Sequence, residues 1–543
     1  MKYRAILKDD EEINERKAER KPICSGKLVM LLLWIIVNIF AYLYISKSNT
    51  IYFWDNATYW DISRKLANSS FENFLKTVYD SIGTMDYNYV AGIISSFLVR
   101  LFGESRMCYI LGLVNLYLLP SFALVYALAK RLGKSPQITM VTIFLMCPAI
   151  TYIAFLGFVD IGGLLICMSV YALYYAKNAD KNVILRHIGI GVLLVLMMLW
   201  RRWYAFFAVS FLTAMVCDCL LSGKRKLPVI LTAFTSGIIL LVGFYPFLTG
   251  ILLRDYGNLY EGYKFSISTD MKLITRYFGF LPILGVFIAS LWQIVMKREF
   301  RLLFMWTQII VCFLMFAFTQ THGQQHLLLY VPSLIMILII LVKNITKTKT
   351  MIFVVILSVL QTVSVFVPRV QPQSLGEIKY YSPVPSFSVM PVVREDTQQI
   401  LELKNRLDKI IEKDKTLGVI SSSFKMNEDI LKNVQPSLGK KATRPDYIVS
   451  LPQVDSRDTD MTPFYNVNYI LVATPVQTHL AKGKQRVVEE AVKSFETYAD
   501  FAMSYKEMPE HETVIDGITL KLYKRIREVK EAAMREFELR LVK

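Results

Sequence analysis

The sequence predicts a polytopic α-helical membrane protein that carries a small α/β domain after its last span. Three observations lead there. Hydrophobic residues make up 54% of the 543-residue chain, against about 45–50% in soluble domains. Several windows of about 18–20 residues lack charge, the length that crosses a hydrocarbon core. The basic residues behind the formal net charge of +18 gather in short clusters between these apolar runs.

Eleven spans are expected, near residues 28–46, 108–128, 137–156, 161–175, 188–200, 203–221, 228–248, 278–296, 302–318, 327–341 and 351–367. The clusters are Lys130, Arg131, Lys134; Lys177, Lys181, Arg186; Lys224, Arg225, Lys226; Lys297, Arg298, Arg301; and Lys343, Lys347, Lys349. A basic tail, residues 1–27, is expected in the cytoplasm, and alternation then puts every cluster on that side. Topology accounts for the charge, so no nucleic-acid partner is needed. The first apolar run is long and lacks a small-residue cleavage site, so it reads as an anchor.

The segment "YVAGIISSFLVRLFGE" is apolar but short and is interrupted by Arg100. A crossing there would turn all five clusters outward. It is therefore expected as an interfacial or re-entrant helix, inside a large first outer loop, 47–106. The core membrane domain is 28–368. A Pro/Ser-rich linker follows at 369–394. Residues 395–543 alternate helical patterns with short β-branched runs such as "NYILVAT", the pattern of an α/β domain. That domain is expected outside the cell. Seven cysteines are present and none lies beyond Cys312, so it folds without a disulfide. Cys217 and Cys219 lack other soft ligands nearby in sequence.

The first-loop stretch "IYFWDNATYWDISRKLANSS" places Asp55 and Asp61 among Trp54, Tyr59 and Trp60. One reading makes Asp55 the N-cap of a helix starting near Asn56. The other puts it in a cavity above the membrane as a general base. Asp61 reads as a solvated or helix-orienting charge.

The segment "DNATYWDISRKLA" resembles the first loop of GT-C glycosyltransferases that use polyprenyl-phosphate sugars. These are the protein O-mannosyltransferase and lipid A aminoarabinose transferase relatives. Asp55, Asn56, Tyr59 and Arg64 occupy the positions of that pattern. "RLFGES" with "LYLLPSFALVYALAKRLGKSP" is similar to the next amphipathic segment and span. "CPAITYIAFLGFVDIGGLLICMSVYALYY" is similar to the following pair, with Asp160 at the outer turn. The resemblance covers roughly residues 28–345. Many relatives have Asp-Glu where this chain has Asp55-Asn56. Their His-Pro-Pro becomes "MDYNYV", with Asp86, and their late Arg-Tyr becomes Gln325-His326. The resemblance implies that Asp55 is the catalytic base.

A lipid-linked donor needs cations to hold its phosphate. Arg201 and Arg202, in "MMLWRRWYAFF", lie at an outer turn, against the positive-inside trend. They read as phosphate ligands or as snorkelling side chains. Arg64, Arg254, Lys264 and Arg276 are further candidates. Asp160 sits at the start of a span, where an ionisable group is either functional or paired. His322 and His326, at "QTHGQQH", read as sugar hydrogen-bonding groups, as plain interfacial residues or, with no third ligand in sequence, as a divalent-metal pair. Tyr330 suits an aromatic belt or substrate contact.

The expected function is an inverting glycosyltransferase of the plasma membrane, in a bacterial cell. It moves a sugar from a polyprenyl-phosphate donor to a hydroxyl on an envelope glycan, teichoic acid, glycolipid or protein. No cofactor is called for by the sequence. The alternatives are a flippase for a lipid-linked saccharide and a noncatalytic envelope scaffold.

Overall fold

The computed structural model describes residues 26–83, 87–132, 135–176, 182–222, 226–369, 378–440 and 445–542. Most of the basic tail, Asp86, Lys134, Lys177, Lys181, Lys224, Arg225 and linker residues 370–377 lie outside them.

In lipid every backbone polar group must be satisfied within its own segment, so long apolar runs form helices. Seven are long and apolar enough to cross a membrane: Gly26–Lys47, Arg106–Leu132, Val183–Trp200, Tyr204–Leu221, Phe280–Lys297, Arg301–Thr319 and Thr348–Val365. Two bent pairs bring the number to nine among the described residues. Pro136–Met146 turns by 66° into Ala149–Phe155, and Leu227–Gly243 by 99° into Tyr245–Leu252. Pro148 and Pro246 stand at these breaks, where each removes a backbone donor. The other two of the eleven expected spans are shorter helices, Asp160–Tyr174 and Val331–Lys343. They are central: eleven of the thirteen residues of Val331–Lys343 are buried. A helix enclosed by others need not match the lipid thickness, so their shortness does not argue against a crossing. The chain is thus a multi-pass membrane protein, with seven to nine helices of spanning length among the described residues.

The Arg100 segment forms the helix Ile93–Phe102. Its ten residues rise about 15 Å, half of a ~30 Å hydrocarbon core. Ser95, Ser96 and Val99 face inward while Phe97, Leu101 and Phe102 are exposed. Ser95 and Ser63 hydroxyls hydrogen-bond at 2.7 Å. Arg100 Nε donates to the Ala67 carbonyl at 2.7 Å, meeting the negative end of the Trp54–Asn68 helix.

The C-terminal domain is a six-stranded sheet between two helical layers. Its strands are β1 Leu417–Ile420, β2 Ile448–Val449, β3 Tyr469–Thr474, β4 Tyr505–Glu507, β5 Thr513–Ile515 and β6 Ile518–Arg525. The order is β2-β1-β3-β6-β4, with β5 also on β6. β1 runs parallel to β2 and β3, and β6 runs antiparallel to β3. Side chains alternate across a strand. Tyr469, Leu471 and Ala473 therefore pack with Ile400, Leu407 and Leu431 on one face. Ile470 and Val472 pack with Val487, Val492 and Phe537 on the other.

The two parts meet through residues 49–54. Ile51, 1% exposed, is a member of the C-terminal domain's core. Asn49 exchanges two hydrogen bonds with the Arg394 backbone, and the Trp54 N–H donates to Asp429 Oδ2 at 2.8 Å. Lys484 reaches Glu261 at 2.8 Å on another side of the contact.

Candidate active site

A cavity of about 1560 Å³ lies between the helical bundle and the C-terminal domain. The helix Trp54–Asn68 starts at its edge, with Asp55 in the first turn. The expected N-cap position is instead held by Phe53, whose side chain caps nothing. Asp429, from the C-terminal domain, takes the free Trp54 N–H. Trp54 adopts φ 49°, a left-handed conformation that is uncommon for a bulky residue. Such a conformation costs about 1–3 kcal/mol and persists where the surroundings hold it.

Asp55 faces the cavity. Tyr87 Oη donates to its Oδ1 at 2.6 Å and Arg201 Nη2 to its Oδ2 at 3.0 Å. Burial pushes the Asp55 carboxyl up, but the Arg201 charge and the hydrogen bonds from Tyr87 and Arg201 outweigh it. The group is held below its ordinary value of 3.8 and is ionised at neutral pH. Burial and the Asp55 charge push the Tyr87 phenol well above 10, so it stays a donor.

Arg201 ends the Val183–Trp200 helix in an extended conformation, which turns its side chain across the bundle. Its guanidinium, 4% exposed, lies 3.6 Å from Asp160 Oδ1 through Nε and 4.9 Å from the Tyr59 ring centre. The remaining nitrogen, Nη1, is buried with no hydrogen-bond partner among the described residues. A buried donor left unsatisfied is costly, and an added acceptor oxygen would relieve it. Asp160 is fixed by its own backbone: its carbonyl accepts from Tyr204 Oη at 2.7 Å, and the Val159 carbonyl accepts from Trp200 Nε1 at 2.8 Å. Gly162 and Gly163 admit these rings. A Cβ on either would come within 2.2 Å of Trp200 or 2.1 Å of Tyr204.

Asp55, Tyr59, Arg201, Arg202 and His326 all line the cavity. Arg202 packs over Trp203 at 5.0 Å and Tyr256 at 5.2 Å and donates to Tyr260 Oη. His326 Nδ1 accepts from the Gly323 N–H at 2.9 Å. Burial and then Arg201 push its imidazole well below 6.5, so it is neutral. Asp160 sits behind Arg201 rather than on the wall. Arg64 is elsewhere: it pairs with Asp61 at 2.5 Å and lies over Trp60 at 4.4 Å. His322 and Tyr330 lie in the bundle behind the cavity. His322 Nδ1 meets Asp270 Oδ1 at 2.8 Å, and Nε2 meets the Tyr330 hydroxyl. The two histidines thus point to different partners, and among the described residues no three His, Cys, Asp or Glu groups converge on a metal position. Of the further arginine and lysine candidates, Arg276 lines the cavity.

Sequence reasoning missed Tyr87, Asp429, Arg457 and His479, all on the cavity wall. Tyr87 lies in "MDYNYV", where the family pattern is lost. The other three lie in segments that follow short apolar strands of the C-terminal domain, and no local sequence signal marks them.

No family model matches the chain, and no curated protein matches it. Solved structures do. ArnT from Cupriavidus metallidurans in the apo state aligns with TM-score 0.58 at 11% identity, over 92% of this chain and 98% of that one. The same protein bound to undecaprenyl phosphate aligns with TM-score 0.56 at 10% identity, over 92% and 99%. The apo Archaeoglobus fulgidus oligosaccharyltransferase aligns with TM-score 0.44 at 11% identity, over 81% and 69%. With ArnT the likeness takes in both the helical bundle and the C-terminal domain, and this protein accordingly has the GT-C fold.

Proposed function

We propose that the protein is a membrane glycosyltransferase that moves one sugar from a polyprenyl-phosphate donor to a hydroxyl acceptor. The reaction would run on the outer face of the plasma membrane. The observation that carries this reading is the ionised Asp55 beside Arg201 on the wall of one large cavity. The ArnT structure with undecaprenyl phosphate lends support through the shared fold. Orientation rests on charge. Arg131 donates to the Ala172 carbonyl at the bundle end away from the cavity, and Lys343 ends its helix at that same end. Positive residues favour the cytoplasm, which leaves the cavity outside.

The donor phosphate binds Arg201 and Arg202, with Nη1 of Arg201 taking one oxygen. The phosphate then competes with Asp55 for the guanidinium. As Arg201 turns toward it, burial dominates at Asp55 and the carboxylate becomes a stronger base. The acceptor oxygen attacks the anomeric carbon from the face opposite the phosphate. Its proton passes to Asp55, the carbon–oxygen bond to phosphate breaks, and the electron pair leaves on polyprenyl phosphate, next to the arginines. One displacement inverts the anomeric centre. Asp160 keeps Arg201 in place, and Tyr87 orients Asp55.

The test uses purified protein in vesicles with labelled undecaprenyl-phosphate sugar and a crude envelope acceptor. Release of undecaprenyl phosphate with labelled product supports the transferase. Movement of the intact lipid-linked sugar across the bilayer without cleavage would replace it with a flippase.

A further inference from the structure

We propose that the C-terminal edge of the parallel strands β1, β2 and β3, facing Trp54, is the acceptor subsite and takes an uncharged saccharide. This rests on the transferase reading and narrows its acceptor.

In open α/β sheets, ligands bind outside the carboxyl ends of the parallel strands. That edge of this sheet faces the cavity. Phe424 and Asp429 follow β1, Arg457 follows β2, and His479 follows β3; all four line the cavity. Phe424, Asp429 and His479 converge on Trp54, one residue from Asp55. The His479 ring centre is 4.2 Å from that of Trp54, and Phe424 is 5.2 Å from it. Phe424 is 44% exposed, an aromatic ring left open at the mouth of a polar cavity. Flat rings bordered by carboxylate and amide groups suit a pyranose. Its C–H face packs on the rings, and its hydroxyls donate to the polar rim. A sugar lying on Trp54 brings a hydroxyl toward Asp55.

Charge selects the class. On this wall, between residues 392 and 516, carboxylates outnumber cations seven to three. Each cation also has an acid close by: Arg394 with Asp396 at 2.7 Å, Arg457 with Asp458 at 2.6 Å and Lys425 with Asp516 at 2.8 Å. Burial pushes the His479 imidazole down to about 4, so the aromatic platform adds no positive charge at neutral pH. A phosphate- or carboxylate-bearing acceptor would meet net repulsion here.

The full-length protein in detergent micelles is titrated with maltotriose, cellotriose and triacetylchitotriose, and with trigalacturonic acid as the anionic counterpart, by calorimetry. At least one neutral trisaccharide is expected to saturate at millimolar concentration while the anionic one does not. Phe424→Ala should weaken that binding about tenfold through the lost stacking contact, and Phe424→Trp should restore it. The exposed position of Phe424 leaves the fold intact, which an unchanged melting temperature checks. The proposal is overturned if no neutral trisaccharide saturates, if trigalacturonic acid binds as well, or if Phe424→Ala binds like the wild type. Undecaprenyl phosphate binding to the wild type is measured in parallel. Lipid binding without saccharide binding sinks the subsite alone, whereas saccharide binding without lipid binding sinks the transferase reading.

Discussion

Asp55 is a carboxylate held by an arginine, and its behaviour with pH should show when that hold is released. The proposed base works as the anion, so activity should fall as pH drops through its pKa. In the free enzyme that pKa is below 3.8, which puts the acid limb of kcat/KM below pH 3.8. In the proposed donor complex Arg201 would turn to the phosphate, and the acid limb of kcat should then appear at a higher pH. Coincident limbs would mean that Arg201 never leaves Asp55. Asp55→Asn should lower kcat by about 10²–10⁴ with the protein still folded by circular dichroism; near-normal turnover would remove the proposed base. Arg201→Ala leaves Asp160 buried without its ion pair, a loss of about 3–5 kcal/mol in stability, so Arg201→Lys is the cleaner variant. It keeps the charge and gives up the fork that reaches Asp55 and Asp160 together, and should lower donor kcat/KM while the melting temperature changes little. Asp55 and Arg201 were legible in the sequence because charges at the ends of apolar runs stand out and need a reason. Tyr87 and Asp429 were not. A tyrosine among many, and an acid 375 residues from its partner, acquire a role only through the fold.

At the level of elements, the site depends on how the Asp160–Tyr174 helix packs on its neighbours. Gly162 and Gly163 let the Trp200 and Tyr204 rings lie against it, and those rings flank Arg201 in sequence. Gly163→Ala would force Tyr204 aside and disturb its bond to the Asp160 carbonyl. A cost of about 1–3 kcal/mol in stability is expected, with a larger proportional fall in turnover than in expression; unchanged activity would mean that the packing does not position Arg201. Hydropathy located the helices, including the ten-residue Arg100 helix, because its length and lone arginine are both visible in sequence. It could not foresee that two of the expected spans, Asp160–Tyr174 and Val331–Lys343, are short helices at the centre of the bundle. Burial among other helices and exposure to lipid produce the same apolar pattern, and only the packing tells them apart. Nor could it foresee the bends of 66° and 99° in magnitude, though the prolines at both breaks were on view.

In the whole molecule, the helix that carries Asp55 begins where the chain leaves the C-terminal domain's core. Ile51→Asp would bury a charge among Leu417, Ile430 and Leu431 and should loosen the domain from the bundle. Limited proteolysis should then cleave between the two parts faster than in the wild type, with transfer reduced; equal protection in both proteins would count against this junction. The α/β character of the domain was readable from its alternating pattern, but its placement over the cavity was not, since contacts spanning several hundred residues leave no local trace. Residues 49–54 also bear on ancestry and engineering. A chimera that received another protein's C-terminal module while keeping its native first loop would present a mismatched plug to the new core, and Asp55 would drift with it. Donor chemistry and recipient preference should therefore be exchanged between such proteins as a single cassette, loop and module together.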